Sequence, residues 1–451
     1  MTNRLENIKM LTTHANEKNL DLVLKSTQSQ PTIALMSCGG LFEDFFDTVG
    51  VSLEIFRTEQ TGGWMFNYIE ALQLVGVQTV LIFISSRVSQ TLHFKHEPTG
   101  ATVCMLPSPW LHRTFRYICL AMKISGRSLC KSLDSYLVLP LGLLTHELKQ
   151  QGINAIVFQD YENPSFDVCV LLGKLIQLPV FASFQGGSYQ RSRLERPIRP
   201  FALRASTGLI IGPKTEIQRV SDRYQLLSQK LAQIFNPMDV TTWHPMDRDQ
   251  ARKILGISNH ARVAVSHGRI DIAHKGLDIL LEAWKQICSE RPNQELCLLL
   301  VGSGSDAPEL HQRIATMQLT NVLWVNEYIH DRTLLWQYIS AADVYVLSSR
   351  HEGFPVAPIE AITCELPVVA TDVNGIRDIF NEGEASGGII VPREDPTALA
   401  LALGRILDDP TLGRELGKQA RRRAEQAFSF EAIGQQMRDF IFKDTNLNHV
   451  S

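Results

Sequence analysis

At 451 residues the chain is long enough for two domains of ordinary size, and 44% apolar against 20% charged residues is the balance of a soluble globular protein. A formal net charge of −3 argues against a general nucleic-acid binder. Eight cysteines, at positions 38, 104, 119, 130, 169, 288, 297 and 364, form no CxxC pair and scatter through apolar runs, which reads as buried thiols in a reducing compartment. Residues 1–31 lack the apolar core of a signal peptide, and no run reaches the roughly 18 apolar residues of a spanning helix, so a cytosolic protein is expected.

Residues 1–31 read as an N-terminal arm. A first strand follows at 32–36 (TIALM). Thr61-Gly62-Gly63-Trp64 leads into a helical pattern over 65–75, which Gly76 ends, and 77–84 (VQTVLIFI) is a strand. In this βαβ opening the glycines either let the backbone approach a ligand or simply make a tight turn. Residues 98–133 carry Arg113, Arg116, Lys123, Arg127 and Lys131 with no acidic residue, interleaved with Trp110, Phe115, Tyr117, Ile118, Leu120 and Met122. That pattern fits cationic amphipathic helices. One reading is a surface resting on anionic lipid; the preferred one is a solvated face beside a core-facing stripe.

Strands at 155–158 and 180–184 flank a helix over 165–176, and Gln185-Gly186-Gly187 ends the second strand. Arg191, Arg193, Arg196, Arg199 and Arg204 then stand against a single Glu195, as a phosphate or acidic-acceptor site or as a solvated loop. With a strand at 209–211, residues 32–235 form one doubly wound unit, and the turn-rich 236–248 is a linker. The pattern restarts over 249–427. Strands at 262–266, 296–301, 322–325, 344–347 and 389–391 alternate with helices at 277–288 and 333–341 and from Pro396 and Pro410. A helix over 430–442 ends the pattern within 428–451. Strands alternating with helices of about ten residues predict two parallel sheets.

The stretch 348–378 (SSRHEGFPVAPIEAITCELPVVATDVNGIRD) carries the chemistry. A loop over 348–354 leaves a strand end, a helix is expected from Pro355, and Glu352 in the loop and Glu360 two turns into the helix face the carboxyl end of the sheet, where open α/β sheets bind ligands. The helix N-terminus suits phosphate. Arg269 and Lys275 follow strand 262–266 onto the same rim, a planar fork and a point charge for a diphosphate leaving group that needs no metal. Glu360 suits paired ribose hydroxyls and Glu352 a second sugar. A glycoside-hydrolase acid/base pair is the weaker rival, since cations favour ionised carboxylates. Gly302-Ser303-Gly304-Ser305-Asp306-Ala307 fits the dinucleotide fingerprint, but no acidic residue closes the next strand, so these glycines read as a tight turn and not as part of a dehydrogenase.

Glu352 and Glu360 form an E-x7-E pair inside EGFPVAPIEAITCELPVVATDVNG. With GRIDIAHKGLDILLEAW, LLLVGSGSDAPEL and GGIIVPREDPTALA, the sequence resembles the family 4 glycosyltransferases (glycosyl transferases group 1) of the GT-B fold, densely over 260–430 and more loosely over 30–240. The resemblance implies two Rossmann-like domains facing a cleft: an acceptor domain, 32–235, and a nucleotide-sugar domain, 249–427, with the last helix packed back on the first. It implies that Arg269 and Lys275 contact the donor diphosphate, Glu360 the ribose and Glu352 the transferred sugar. Backbone N–H groups of Gly353, Phe354 and Val356 would surround sugar and phosphate, and Gly63 would lie across the cleft. The implied activity is retaining, metal-independent hexosyl transfer from a nucleotide diphosphate sugar, with no further cofactor, to an unnamed acceptor in polysaccharide or glycoconjugate biosynthesis. It would occur in the cytoplasm, with peripheral contact at an anionic inner membrane face as an option. Gln185 stands where many relatives carry histidine on the acceptor side, and a second family histidine is replaced near Gln159-Asp160. A catalytically silent GT-B subunit or a nucleotide-sugar epimerase are the alternatives.

Overall fold

The computed structural model describes residues 30–443, apart from 38–39, 48–49, 62, 185–191 and 330. The expected arm, Gly62, Gln185, Gly186, Gly187, Arg191 and residues 444–451 therefore lie outside the described residues, apart from the arm's last two positions.

Two sheets organise the chain. The first has eight strands: β1 (Thr32–Met36), β2 (Gln78–Ser85), β3 (Leu92–Lys95), β4 (Thr102–Pro107), β5 (Ala155–Gln159), β6 (Val180–Ser183), β7 (Gly208–Ile211) and β8 (Leu231–Gln233). Their spatial order is β3-β4-β2-β1-β5-β6-β7-β8, and every pairing is parallel except the edge hairpin β3–β4. The second has six parallel strands, β9 (Arg262–His267), β10 (Leu296–Val301), β11 (Val322–Val325), β12 (Val344–Leu347), β13 (Val368–Thr371) and β14 (Gly388–Val391), in the order β11-β10-β9-β12-β13-β14. Parallel strands covered by helices on both faces need apolar residues on both faces. That is why β1 and β12 are buried at every position.

Strand order reverses between β1 and β5 in the first sheet and between β9 and β12 in the second. These are the positions at whose carboxyl ends a doubly wound sheet opens a crevice. Several elements depart from the sequence reading. Short helices at Phe42–Phe46 and Leu53–Thr58 fill the span between β1 and the glycine turn, to which the sequence reading assigns no element. The basic stretch is part strand, since β4 precedes the helices Trp110–Ala121 and Ser128–Leu137. Nor does its apolar stripe face a core. Trp110, Tyr117, Leu120 and Met122 are each more than 60% exposed, while His112 and Cys119 make the buried face.

The two units are tied together at several points. The Asn67 side-chain amide donates to the Pro237 carbonyl at 2.8 Å, and the Tyr68 hydroxyl to Asn236 at 3.0 Å. Phe235 stacks on Phe354 with ring centroids 5.3 Å apart. The Met238 N–H donates to the Phe428 carbonyl at 2.7 Å, which fixes the crossing segment against the returning chain. The last helix, Phe430–Phe442, then lies along the first-unit helix Gly63–Leu74, and Arg438 donates to the Val75 carbonyl at 2.8 Å. Among the described residues, no helix is long and apolar enough to cross a membrane.

Candidate active site between the two sheets

Both reversal points open onto one cavity of about 570 Å³. Ser37, just past β1, and Gln159, the last residue of β5, reach it from the first sheet; Phe354, Val356, Ile359 and Glu360 reach it from beyond β12.

On the second sheet's side the cavity is lined by Phe354, Val356, Ile359 and Glu360, and the loops that carry the charged groups are braced. The turn after β9 folds into the short helix Ile272–Lys275 and packs directly on the end of β12. Gly276 makes that approach, with φ of 59° and a position where a Cβ would lie 2.1 Å from the Ser348 carbonyl oxygen. The Ser348 hydroxyl donates to the Lys275 carbonyl at 2.8 Å. Arg350 completes the brace with two 2.8 Å bonds to Asp278 and one of 3.2 Å to the Ile272 carbonyl. Burial pushes the Asp278 carboxyl up, but the Arg350 bonds outweigh it, and the net pKa is lowered.

This scaffold brings Lys275 and Glu352 into contact, Nζ to Oε1 at 2.7 Å, and Ser349 donates to the same Oε1 at 2.6 Å. Glu360 lines the cavity and is hydrogen-bonded to His267 Nε2 at 2.8 Å. Arg269 is on the same rim and shares a small hollow with Lys275, His267, Ser348 and Ser349, but its side chain is 70% exposed and its nearest acid is Asp271 at 3.4 Å. Gly353 follows Glu352 in the loop, and Gly63 is the first residue of the helix that sends Met65 and Asn67 into the cavity lining. Phe354 is engaged through its ring, stacked on Phe235, and Val356 is partly exposed in the cavity wall.

The expected helix is shorter than its sequence suggests. It runs Ala357–Thr363, with Val356 as its cap and Pro358, rather than Pro355, in its first turn. Glu360 is therefore in the first turn and not two turns in. Seven residues align few peptide dipoles, so positive charge on this rim falls to Arg269 and Lys275. The glycine-rich turn after β10 has a packing role. A Cβ on Gly302, whose φ is 135°, would lie 2.0 Å from the Gly268 carbonyl oxygen, so the turn holds the Arg269 loop in place. Nor do the arginines after β6 form one exposed cluster. Arg199 is fully buried with Nε 2.6 Å from Asp167, and Arg204 donates to the Tyr224 carbonyl at 3.1 Å.

The first-sheet wall is apolar. Phe42 and Phe46 stack at 4.3 Å and meet Phe83 edge-on, with Leu41, Met65 and Phe45 beside them in the lining. Phe45 is 61% exposed. Behind this wall Asp44 accepts two 2.8 Å bonds from Arg116, which joins the helix Phe42–Phe46 to the exposed face of Trp110–Ala121. Next to Gln159 lies a packed acidic group. Burial pushes Asp160 up to about 6, and burial with the neighbouring Asp160 charge pushes Glu162 up to about 7; Arg219 donates to Glu162 at 3.0 Å. His267 and the Phe42–Phe46 helix are the contributors that the motif reading did not assign. The FEDFF run itself, three aromatics in a polar loop, was the available signal.

Residues 247–423 match the model of the glycosyl transferases group 1 family. That match spans the second sheet and the helices around it. Over 275 residues the chain is 29% identical to the alpha-maltose-1-phosphate synthase of Mycobacterium tuberculosis, an alignment covering 57% of this chain and 68% of that one. It is 31% identical over 230 residues to the D-inositol 3-phosphate glycosyltransferase of Geodermatophilus obscurus, covering 49% of each, so it spans about half the length of that relative. Among solved structures it resembles sucrose-phosphate synthase from Thermosynechococcus elongatus (TM-score 0.65, 22% identity, 92% and 98% of the two chains). It also resembles Anabaena HepE in complex with UDP (TM-score 0.67, 16% identity, 92% and 100%). The fold is GT-B.

Proposed function

We propose that the chain is a retaining, metal-independent glycosyltransferase that moves a hexose from a nucleotide diphosphate sugar to an acceptor held against the first sheet. The observation that carries this reading is the cavity onto which both reversal points open, with Glu360 on its second-sheet side and an apolar wall opposite, while Glu360's partner His267 shares a second hollow with Lys275 and Arg269. A donor would place its diphosphate between Arg269 and Lys275, its ribose at Glu360 and its sugar at Glu352, Gly353 and Phe354. Lys275 then exchanges its Glu352 partner for phosphate, which frees that carboxylate to accept from sugar hydroxyls. The acceptor hydroxyl oxygen bonds to the anomeric carbon as the bond from that carbon to the diphosphate oxygen breaks. The acceptor proton passes to the leaving diphosphate, whose charge the two cations stabilise.

The apolar wall fits an acceptor with an apolar portion, and the neighbouring exposed face of Trp110–Ala121, with exposed Lys123, Arg127 and Lys131 beyond it, fits an anionic lipid surface. The test is a screen of UDP-, GDP- and ADP-sugars for thermal stabilisation, followed by donor hydrolysis with the stabilising sugar. One nucleotide sugar should raise the melting temperature and be slowly hydrolysed to the α-anomer of the free sugar first. Stabilisation without any turnover would replace this reading with a silent binding subunit.

A further inference from the structure

Away from the cavity, the edge hairpin of the first sheet brings together three side chains that no local motif links. His93 on β3 and Cys104 on β4 are register partners, and Glu147 projects onto them from the helix Leu141–Gln150. Their ligand atoms converge on one point. His93 Nε2 is 2.9 Å from Glu147 Oε2 and 3.7 Å from Cys104 Sγ, and all three atoms lie within 4.8 Å of one another. We propose that these three residues bind a zinc-class divalent cation, with water from the open side as fourth ligand, and that the ion clamps the edge hairpin to the helix Leu141–Gln150.

Three observations support it. Zinc ligands sit about 2.0–2.3 Å from the metal, so tetrahedral neighbours lie roughly 3.3–3.7 Å apart, and both His93 distances fall within about half an ångström of that range. One imidazole, one thiolate and one carboxylate are a donor set for zinc rather than for magnesium or calcium. The charge also asks for a cation. Glu147 is only 5% exposed, and among the described residues its one ion-pair partner is His93, with no lysine or arginine on it. A divalent ion with a thiolate and a carboxylate leaves the site neutral. His93 is 39% exposed, which gives both an entry path and room for the water.

Cobalt(II) titrated into the chelator-stripped full chain is the test. It should bind at one per chain and give a thiolate-to-cobalt charge-transfer band. Cys104→Ser should abolish the band, and His93→Ala should weaken binding by at least about tenfold, the loss that even outer-shell changes cause. Circular dichroism and glycosyl transfer should be unchanged in Cys104→Ser, which separates this site from the cavity. No band in the stripped chain, a band that survives Cys104→Ser, or unaltered affinity in His93→Ala overturns the proposal.

Discussion

The two sides of the cleft hold their shape by different physics. On the second sheet the groups are charged, paired and braced: Lys275 on Glu352, Glu360 on His267, Arg350 on Asp278. On the first they are rings packed on rings, with Phe45 left open to the cavity mouth. A charged wall gains its binding energy by exchanging partners, since a buried ion that loses one group must find another. An apolar wall gains it by removing area from water and is tolerant of the occupant's identity. On the proposed reading the first contrast fits a donor of fixed chemistry and the second an acceptor that differs among relatives.

The comparison breaks most sharply at the charged wall. On the proposed reading Lys275→Ala removes a cation from the leaving diphosphate and strands Glu352, and turnover should fall by about 10²–10³, the loss typical of one charge-stabilising donor. Glu360→Ala should raise the donor Kd by about 10–100-fold, as hydrogen bonds to a charged group are worth about 1.5–3 kcal/mol. Steady-state kinetics and donor titration check both; near-wild-type values in the two variants would remove the assignment of this rim. Phe45→Ser tests the opposite wall. The acceptor KM should rise by roughly tenfold, as about 1.5 kcal/mol of apolar contact is lost, with donor hydrolysis unchanged. A matching loss in donor hydrolysis would mean that the walls do not divide the substrates.

A smaller effect is expected at the exposed face. Trp110→Ala combined with Lys123→Glu should weaken sedimentation with phosphatidylserine vesicles several-fold, and raising salt should weaken the parent chain alone, since about 1 kcal/mol per surface cation is screened beyond a Debye length. Salt-independent binding, or none at low salt, would leave the exposed tryptophan without this role.

These walls were unequally legible. The charged one is written in short range: Arg269 and Lys275 lie in the loop and short helix that follow β9, and Glu352 and Glu360 in the loop and helix that follow β12, so the apolar runs at 262–266 and 344–347 locate them. What periodicity missed is cap chemistry. Pro355 looked like a helix start, whereas Val356 caps the helix and Pro358 takes the first turn, which moved Glu360 by a turn. The apolar wall depends on helices of five and six residues, too short to show a period, and on contacts between Phe42, Phe56 and Phe83 across forty positions. The apolar stripe of Trp110–Ala121 shows that amphipathic pattern alone does not say which face is covered. The expected core side proved to be the exposed one.

The mildest test lies behind Gln159, where the apolar wall rests on charge after all. The folded state holds protons on Asp160 to about pH 6 and on Glu162 to about pH 7, because burial disfavours their ionised forms. An unfolded chain releases such protons near pH 4. The folded state therefore binds more protons between those values, and its stability from these groups is full below about pH 4 and declines as pH rises to about 7. Asp160→Asn removes the titrating group without changing the backbone demand, since asparagine also accepts the φ of 63° at this position and can still receive the Glu162 N–H at 3.1 Å. Calorimetry should find the variant matched with the parent at pH 4 and more stable at pH 8 by on the order of 1 kcal/mol, one pKa unit being worth about that much. A variant less stable than the parent at pH 8 would mean that Arg199 and Arg219 hold the Asp160 carboxylate ionised, and that this wall is charge-braced like the one it faces.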